Sequence, residues 1–436
     1  MEDSTTADST TADTTTADRP DRDGSGPVAE ARDISATVCV VGAGPAGAML
    51  ALLLARSGVE VVLLEKHADF LRDFRGDTVH PSTLEILDEL GLSERFHALP
   101  HRKLGTMDLV QEGRTMLIAD FRNLGLRFPY VAFVPQWDFL TLITTEAARH
   151  PGFRLWMRAE VTGLLTENGR TVGVRCRTPD GERVVRAALT VAADGRTSVL
   201  RAAAGLRPRD LNVRLDVLMF RVSRREDDPD EGLSVRIGRG RIFVVVNRGG
   251  YWQVSYEMVH GGYARLRREG IDRLRRDLCE LVPFLADRAS EISGFDDVRL
   301  LEARVDRLRR WYAPGLLFIG DAAHAMSPAG GYGVNLAVQD ATAAANLLVG
   351  PLLATQRSGR PPENRVLARV QRRRMPPTVL TQEFQRLLQR FAVERALRGD
   401  RVMTPSRRAA FERRPFLLRQ LSRMTGVGLR PEHVRT

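Results

Sequence analysis

The pattern of hydrophobic residues is clearest near the start of the chain. An apolar run rich in β-branched residues, 36–41, precedes a glycine-rich turn and predicts a buried parallel strand. Residues 48–57 are mostly Ala, Leu and Met with apolar residues on every side, which predicts a buried helix ended by Gly58. A second apolar strand, 59–64, is followed by Glu65. Together these segments predict a β-α-β unit.

Further patterns predict shorter elements. Apolar faces at helical spacing predict helices over 79–91 and about 136–150. Asn-Gly and Asp-Gly pairs separate three predicted strands of a meander, at about 155–165, 171–178 and 182–191. Alternating polar and apolar residues predict a separate sheet with strands at 214–222, 233–237, 241–246 and 251–257.

Two later apolar strands each end in an acidic residue, Asp194 and Asp321. Ligands of open α/β sheets bind at the carboxyl ends of the strands. The loop after Asp321 is rich in glycine, and the helix predicted from about 334 to 348 would point its N-terminus at whatever that loop holds. Taken alone, the segment at Asp194 could equally be a turn that caps a helix.

The glycine-rich turn carries more specific chemistry. Gly42 allows a sharp turn out of the strand, Gly44 allows the backbone to approach a pyrophosphate, and Gly47 allows close packing of helix and strand. Glu65 lies 23 residues after Gly42, where a carboxylate can accept hydrogen bonds from ribose hydroxyls. Because strand, helix and acidic residue are all present, the pattern favours a dinucleotide site over a glycine turn kept only for packing.

Length and composition are those of a globular enzyme. With 436 residues and 43% hydrophobic content, the chain can bury a substantial core in about two to three domains. No apolar run approaches the roughly 20 residues that span a bilayer, so no transmembrane segment is expected. Three cysteines without ligand or redox spacing indicate reduced thiols and a cytoplasmic protein. No metal-ligand spacing occurs among the eight histidines, so no metal is expected.

Charge differs sharply between the two ends of the chain. The first 33 residues hold nine acids and three arginines in a degenerate Ser-Thr-Thr-Ala-Asp repeat, which predicts a disordered tail. Residues 357–436 hold twenty arginines and six acids, but no nucleic-acid motif accompanies them, and no nucleic-acid partner is expected. Residues 408–424 could form a basic amphipathic helix at a lipid surface, although packing on the protein body is commoner.

The order of the motifs resembles that of the FAD-dependent aromatic hydroxylases, the single-component flavoprotein monooxygenases that include para-hydroxybenzoate hydroxylase. The resemblance covers residues 36–350 and rests on the turn at 42–47, Asp194-Gly195 and Gly320-Asp321 together. It implies an α/β fold with a Rossmann-like FAD-binding domain, an inserted mixed β-sheet substrate domain and a helical C-terminal segment. The corresponding boundaries are 1–34 for the tail, 35–110, 131–205 and 308–352 for the FAD domain, 111–130 and 206–307 for the substrate domain, and 353–436 for the Arg-rich segment.

The resemblance also implies which residues bind the cofactor. They are Gly42, Gly44, Pro45, Ala46, Gly47, Glu65, Lys66, Arg75, Gln136, Asp194, Asp321, Gly331, Gly333 and Asn335. No side chain is assigned as catalytic, because the chemistry would be that of the flavin. His324, within the third motif, is a candidate general base, although a structural role is commoner for a histidine at this place. Candidates for the pocket are Pro328 and Tyr332 from the glycine loop, and Arg221 and Tyr256 from the alternating sheet, where plain core packing is the alternative.

The family's chemistry implies a reaction. NADPH or NADH would reduce FAD, O2 would add to form a flavin C4a-hydroperoxide, and one oxygen atom would pass to an aromatic or polyketide-like small molecule of secondary metabolism. A related flavoenzyme acting as an epoxidase, a halogenase or a reductase of an isoprenoid double bond is the alternative, as is a non-catalytic flavin-binding or membrane-associated partner protein. The halogenase motif Trp-x-Trp-x-Ile is absent at Trp252.

Overall fold

The computed structural model describes residues 34–71 and 78–435 of the chain. The α-helices in these ranges are α1 (Pro45–Arg56), α2 (Pro81–Glu89), α3 (Ser93–His97), α4 (Gln136–Ala147), α5 (Val199–Ala203), α6 (Gly262–Glu269), α7 (Ile271–Leu281), α8 (Tyr332–Ser358), α9 (Asn364–Leu388), α10 (Glu394–Leu397), α11 (Pro405–Glu412) and α12 (Pro415–Gly426). A π-helical turn, Gln389–Val393, joins α9 to α10, and 3-10 turns occupy Pro283–Glu291, Phe295–Asp297 and Gly320–Ala322.

The strands form two large sheets and one small sheet. They are β1 (Ile34–Val41), β2 (Val61–Leu64), β3 (Thr78–Val79), β4 (Arg102–Leu104), β5 (Thr106–Gln111), β6 (Arg114–Asp120), β7 (Val131–Phe133), β8 (Phe153–Trp156), β9 (Glu160–Glu167), β10 (Arg170–Thr178), β11 (Gly181–Ala192), β12 (Arg209–Ser223), β13 (Leu233–Gly238), β14 (Arg241–Asn247), β15 (Tyr251–Val259), β16 (Arg299–Arg307), β17 (Tyr312–Ala313), β18 (Leu316–Phe318) and β19 (His324–Ala325). β3, β7 and β4 make the small sheet.

The first large sheet is built around β1, in the order β17-β18-β11-β1-β2-β8. β18, β11, β1, β2 and β8 run in parallel, so their carboxyl ends lie along one edge. Helices α1, α4 and α8 pack together over one face in a cluster of buried aliphatic residues. The alternation of parallel strands with buried helices confirms the predicted Rossmann-like α/β fold.

The second large sheet has the order β19-β16-β12-β15-β14-β13-β5-β6. Its outer face is covered by α6, α7 and the 3-10 turn Pro283–Glu291. Its opposite face, which we call the inner face, packs against the C-terminal helical segment and the small sheet. Because β5 belongs to this sheet, the second sheet begins at Thr106, before the predicted boundary at 111.

Three predicted elements differ from the structure. The helix expected to stop before Gly350 continues to Ser358 through Gly350 and Pro351, because Leu352 and Thr355 pack into the protein and tertiary contacts override the local helix breakers. The expected amphipathic helix 408–424 is two helices, separated before Pro415, whose missing N–H suits the first turn of α12. The strand expected over 155–165 is split between β8, in the parallel sheet, and β9, in the meander.

One helix in the described ranges, α8, is long and apolar enough to cross a bilayer by length and composition. The core helix of a globular protein passes the same test, so the expectation that the chain has no transmembrane segment is not contradicted and stays a prediction. The apolar window of α8 is 67% buried inside the protein, as in the core helix of a globular domain.

Candidate active site

The three sequence motifs meet at the carboxyl edge of the parallel sheet. A Cβ on Gly42 would lie 2.5 Å from the carbonyl oxygen of Ala193, in the second motif. A Cβ on Gly320, in the third motif, would lie 2.9 Å from the Cβ of Ala46 in the first. These close approaches require glycine, and they bring loops from distant parts of the chain into direct contact.

The first motif combines a tight turn with an open surface. Gly42 has a φ of +96°, and a Cβ on Gly47 would lie 1.9 Å from the carbonyl oxygen of Gly42. By contrast, a Cβ on Gly44 would meet nothing within 4 Å. Gly44 is also the N-cap of α1, where no side chain of the described residues caps the helix. The first N–H groups of α1 are therefore not satisfied by a cap and can bind an anion.

Glu65 holds the same turn from the end of β2. Its buried carboxylate accepts hydrogen bonds from the backbone N–H of Ala43 at 3.0 Å and of His67 at 3.1 Å. Lys66, beside it, is exposed. Glu65 thus stabilises the glycine turn in addition to any contact that its oxygens make with a ribose.

We expect Glu65→Gln to lower the free energy of unfolding by about 1–3 kcal/mol, because a glutamine side chain has one acceptor oxygen and one of the two backbone N–H groups loses its partner. Urea unfolding of the FAD-free protein measures this loss. Glu60→Gln changes an exposed residue of the same β-α-β unit and should leave the unfolding midpoint in place. Equal midpoints for both variants would mean that Glu65 does not hold the turn.

The second and third motifs share a hydrogen-bonded network. Arg196 donates to the Asp321 carboxylate at 2.9 Å and to the carbonyl oxygen of Met326 at 3.3 Å. One carboxylate oxygen of Asp194 accepts the N–H of Leu200 at 3.2 Å in the first turn of α5, whose N-cap residue is Ser198. Among the described residues, Asp194 Oδ1 and Arg196 Nη1 are buried without a hydrogen-bond partner. Burial raises the pKa of Asp194, although hydrogen bonds partly offset this.

The glycine loop after the third motif ends at the N-terminus of α8. Gly331, its N-cap, has a φ of +66°, and a Cβ there would lie 2.3 Å from Thr78 Oγ1. No described side chain caps this helix either. A Cβ on Gly333 would meet nothing within 4 Å, so the first turn of α8 is open. Two uncapped helix N-termini, those of α1 and α8, therefore follow the glycine loops of this site.

Asn335 and Tyr332 hold the start of α8 in place. The side-chain oxygen of Asn335 accepts hydrogen bonds from Ser82 at 3.0 Å and from Thr83 at 2.6 Å. The Tyr332 ring is buried, and its hydroxyl lies 3.1 Å from Thr425 Oγ1. These contacts give both side chains a packing role. The backbone of the first turn of α8 remains open at Gly333.

The C-terminal helix α12 was not predicted to lie at the site, yet it contacts it directly. Thr425 accepts a hydrogen bond from His80 Nδ1 at 2.6 Å through its carbonyl oxygen. Burial lowers the pKa of His80 to about 4, so this imidazole is neutral at physiological pH. Gly426 packs against Phe121 and Pro81, where a Cβ would lie 2.9 Å from the Phe121 ring. The high arginine content of this segment gave no signal of these contacts.

The remaining predicted residues lie in different places. Pro328 is half-buried in the glycine loop, and Gln136 is half-buried at the first position of α4. Arg221 is an exposed residue of β12 whose guanidinium lies 4.9 Å from the Tyr251 ring centroid. Tyr256 is buried on the outer face of the second sheet, where its hydroxyl donates to Asp277 at 2.8 Å. Arg75 lies outside the described residues.

Two further histidines, His324 and His260, lie close to carboxylates. His324 is buried and its Nε2 lies 2.6 Å from the Asp340 carboxylate. His260, with Asp216 and Glu302, forms a group whose ligand atoms lie within 4.8 Å of one another, a grouping that the sequence spacing did not reveal. The Asp216 carboxylate accepts hydrogen bonds from the ring of His260 at 3.1 Å and from the backbone N–H of Tyr263 at 3.1 Å, which accounts for its position without an ion.

The chemistry of this edge fits a dinucleotide cofactor. Uncapped helix N-termini and the open backbone at Gly44 suit an anionic pyrophosphate. Buried polar atoms without partners, Asp194 Oδ1 and Arg196 Nη1, suit hydroxyl or carbonyl groups of a ligand. Comparison with known proteins agrees, since residues 35–361 match the family described as FAD binding domain.

The chain belongs to the FAD-binding-domain family. It is 34% identical to 6-methylpretetramide 4-monooxygenase of Streptomyces rimosus over 86% of this chain and 90% of that protein. It is 31% identical to 12-dehydrotetracycline 5-monooxygenase/anhydrotetracycline 6-monooxygenase of Streptomyces rimosus, over 70% of this chain but only 60% of that longer protein. The fold is that of OxyS anhydrotetracycline hydroxylase from Streptomyces rimosus. The two structures have a TM-score of 0.70 and 22% identity, over 90% of this chain and 76% of that protein.

These comparisons confirm the predicted family, fold, enzyme class and cofactor. This member of the family is an FAD-dependent monooxygenase, an oxidoreductase that inserts one oxygen atom of O2 into a small-molecule substrate.

Proposed function

We propose that this enzyme hydroxylates a phenolic, polyketide-like aromatic compound, with NADPH or NADH as the reductant. The observation that carries the proposal is the meeting of the three motif loops at one sheet edge. The 34% identity to 6-methylpretetramide 4-monooxygenase over nearly its whole length supports the substrate class. Free cysteines and the need for a reduced nicotinamide support a cytoplasmic location.

Under this proposal the chain's own groups bind and orient the cofactor. The turn Gly42–Gly47 and the N-terminus of α1 would hold the pyrophosphate, Glu65 would hold the adenosine ribose, and Asp321 with its partner Arg196 would hold the ribityl region. The first turn of α8 would offer the positive end of its dipole to the negative charge that a bound flavin acquires on reduction. Bound FAD supplies the redox and oxygen-transfer chemistry itself.

The second sheet and the C-terminal helices would exclude water from the reacting groups. Apolar side chains of the inner face pack with residues from α10 and α11, and α12 contacts the start of α8 through Thr425. Exclusion of water from a site suppresses side reactions of the reactive groups bound there. The pocket is therefore expected between the α8 loop and the inner face.

The proposal is tested with FAD-loaded protein, NADPH or NADH, and anhydrotetracycline under an atmosphere of 18O2. We expect consumption of the reduced nicotinamide to accelerate when the compound is added, and a product heavier by one 18O atom. Reduction of the compound without incorporation of oxygen, or loss of all reducing equivalents as hydrogen peroxide with every phenol tried, would contradict the proposal.

A further inference from the structure

The inner face of the second sheet carries a line of buried polar side chains. On β15, Trp252, Val254 and Tyr256 pack against the helices of the outer face. Successive residues of a strand point to opposite faces, so the alternate residues point to the inner face. These alternate residues are Gln253, Ser255 and Glu257, which are 7%, 8% and 8% exposed.

The surroundings of Glu257 are apolar. Its cross-strand neighbours are Val217 on β12 and Ile242 on β14. Those two side chains belong to a cluster that includes Val393 and Ala396 of the C-terminal helical segment. Glu257 therefore places a carboxyl group among aliphatic side chains on the face that we assign to the substrate pocket.

No hydrogen bond or ion pair offsets the burial of Glu257 in the part of the chain that the structure describes. Burial alone raises the pKa of this carboxyl to about 7, without an opposing contribution from any neighbouring charge or donor. An unpaired buried carboxyl group destabilises the fold, whether it is charged or neutral. Packing gives no reason for a glutamate here, whereas a ligand that supplies the missing hydrogen bond does.

One helical segment runs from the glycine loop that precedes α8 to the apolar cluster beside Glu257. Gln385 on α9 donates to the carbonyl oxygens of Ser327 and Ala329, at 3.1 and 3.0 Å, and so lies against the loop that holds Pro328. The helical segment continues through the π-helical turn to Val393, eight residues later, which belongs to the same apolar cluster as Val217. At about 1.5 Å per residue, Gln385 and Val393 are roughly 12 Å apart along this segment.

We propose that Glu257 is a substrate-recognition residue, whose carboxyl group hydrogen-bonds a hydroxyl or amide group at the end of the substrate remote from the reacting carbon. Under this proposal the ligand extends along this helical segment, which is longer than a single ring, so the ligand has several fused rings. The inference rests on the proposed function and deepens it by naming a multi-ring phenol as the substrate class.

Stability provides the first test, with Glu257→Met in the FAD-loaded protein. We expect a higher thermal midpoint than in the natural protein, because the substitution removes a buried carboxyl group without a partner. Glu226→Met, at an exposed position of the loop between β12 and β13, should leave the midpoint unchanged. A lower midpoint for Glu257→Met would overturn the inference, since it would show that Glu257 supports the fold.

Ligand binding provides the second test, followed by fluorescence quenching in the FAD-loaded protein. We expect anhydrotetracycline to bind at least tenfold more weakly to Glu257→Met, and less weakly to Glu257→Gln, which keeps hydrogen-bonding capacity. Affinity for 4-nitrophenol, a single ring, should be the same in all variants, and Glu226→Met should bind both compounds as the natural protein does.

The outcomes separate this inference from the proposed function. If the natural protein oxygenates anhydrotetracycline but Glu257→Met binds it unchanged, the role of Glu257 is overturned while the proposed function stands. If the natural protein binds 4-nitrophenol but not anhydrotetracycline, the multi-ring substrate class is overturned. If no phenol is oxygenated although FAD is bound and reduced, the proposed function fails, and the inference fails with it.

Discussion

Gly44→Val should leave the fold intact and weaken FAD binding by at least a hundredfold. The residue has a φ of −69° with an extended ψ, which a β-branched side chain adopts readily, and a Cβ there meets no atom within 4 Å. The same open space is where the backbone would approach the pyrophosphate, so a valine side chain would occupy the place of the phosphate oxygens. Titration of the FAD-free protein with FAD, together with thermal unfolding, measures both effects.

Two other glycines make the result specific. Gly163→Val introduces the same side chain at an open position of β9 and should change neither FAD affinity nor stability. Gly47→Ala should lower stability in the absence of FAD, since its Cβ would lie 1.9 Å from the carbonyl oxygen of Gly42. FAD binding of natural strength by Gly44→Val would mean that the cofactor does not approach this turn.

Arg374→Met should lower the free energy of unfolding by about 1–3 kcal/mol, because two buried carboxylates lose a shared hydrogen-bond donor, although Asp340 keeps His324 and Glu432 keeps Arg373. Arg374 is fully buried and donates to Asp340 at 3.0 Å and to Glu432 at 3.4 Å. Burial alone would raise the pKa of Asp340, but the charge of His324 and hydrogen bonds from His324 and Arg374 lower it on balance. Urea unfolding of the FAD-free protein measures the loss.

The same network reaches the active site. Asp340 accepts the backbone N–H of Gly320 at 3.1 Å, one residue before Asp321. Arg374→Met should therefore also weaken FAD binding, whereas Arg372→Met, at the exposed position two residues earlier on α9, should change neither property. Equal unfolding free energies for the two variants would show that the buried network contributes nothing to stability.

The local sequence contained enough information for the parallel sheet and its glycine turn. The apolar run at β1, the helix α1 and the acidic residue after β2 are adjacent in the chain, so short-range patterns predict them. The loops at Asp194 and Asp321 were also visible, because each follows an apolar strand. Their roles toward FAD stay predictions, since the contacts of these side chains with the cofactor were taken from a resemblance.

The side chains that face the proposed pocket were harder to predict. Alternation along a strand shows which residues share a face of the sheet, but it does not show which face is the inner one. Tyr256 was a candidate for the pocket, yet it packs against α7 on the outer face, and its neighbour Glu257 points to the inner face. Which helices cover each face of the sheet depends on segments far away in the chain. The period-2 pattern alone could not decide between them.

The sequence by itself determined the β-α-β unit and the order of the three motifs, and hence the family. Each of these motifs is formed by residues that are neighbours in the chain, so a local pattern records it. The tertiary structure alone decided that the Arg-rich C-terminus packs at the site through Thr425 and Glu432, and that Asp340 and Arg374 are partners. Those contacts join residues separated by 34 to 345 positions. Their energies arise only when the chain has folded and buried the charges together, so no local pattern records them.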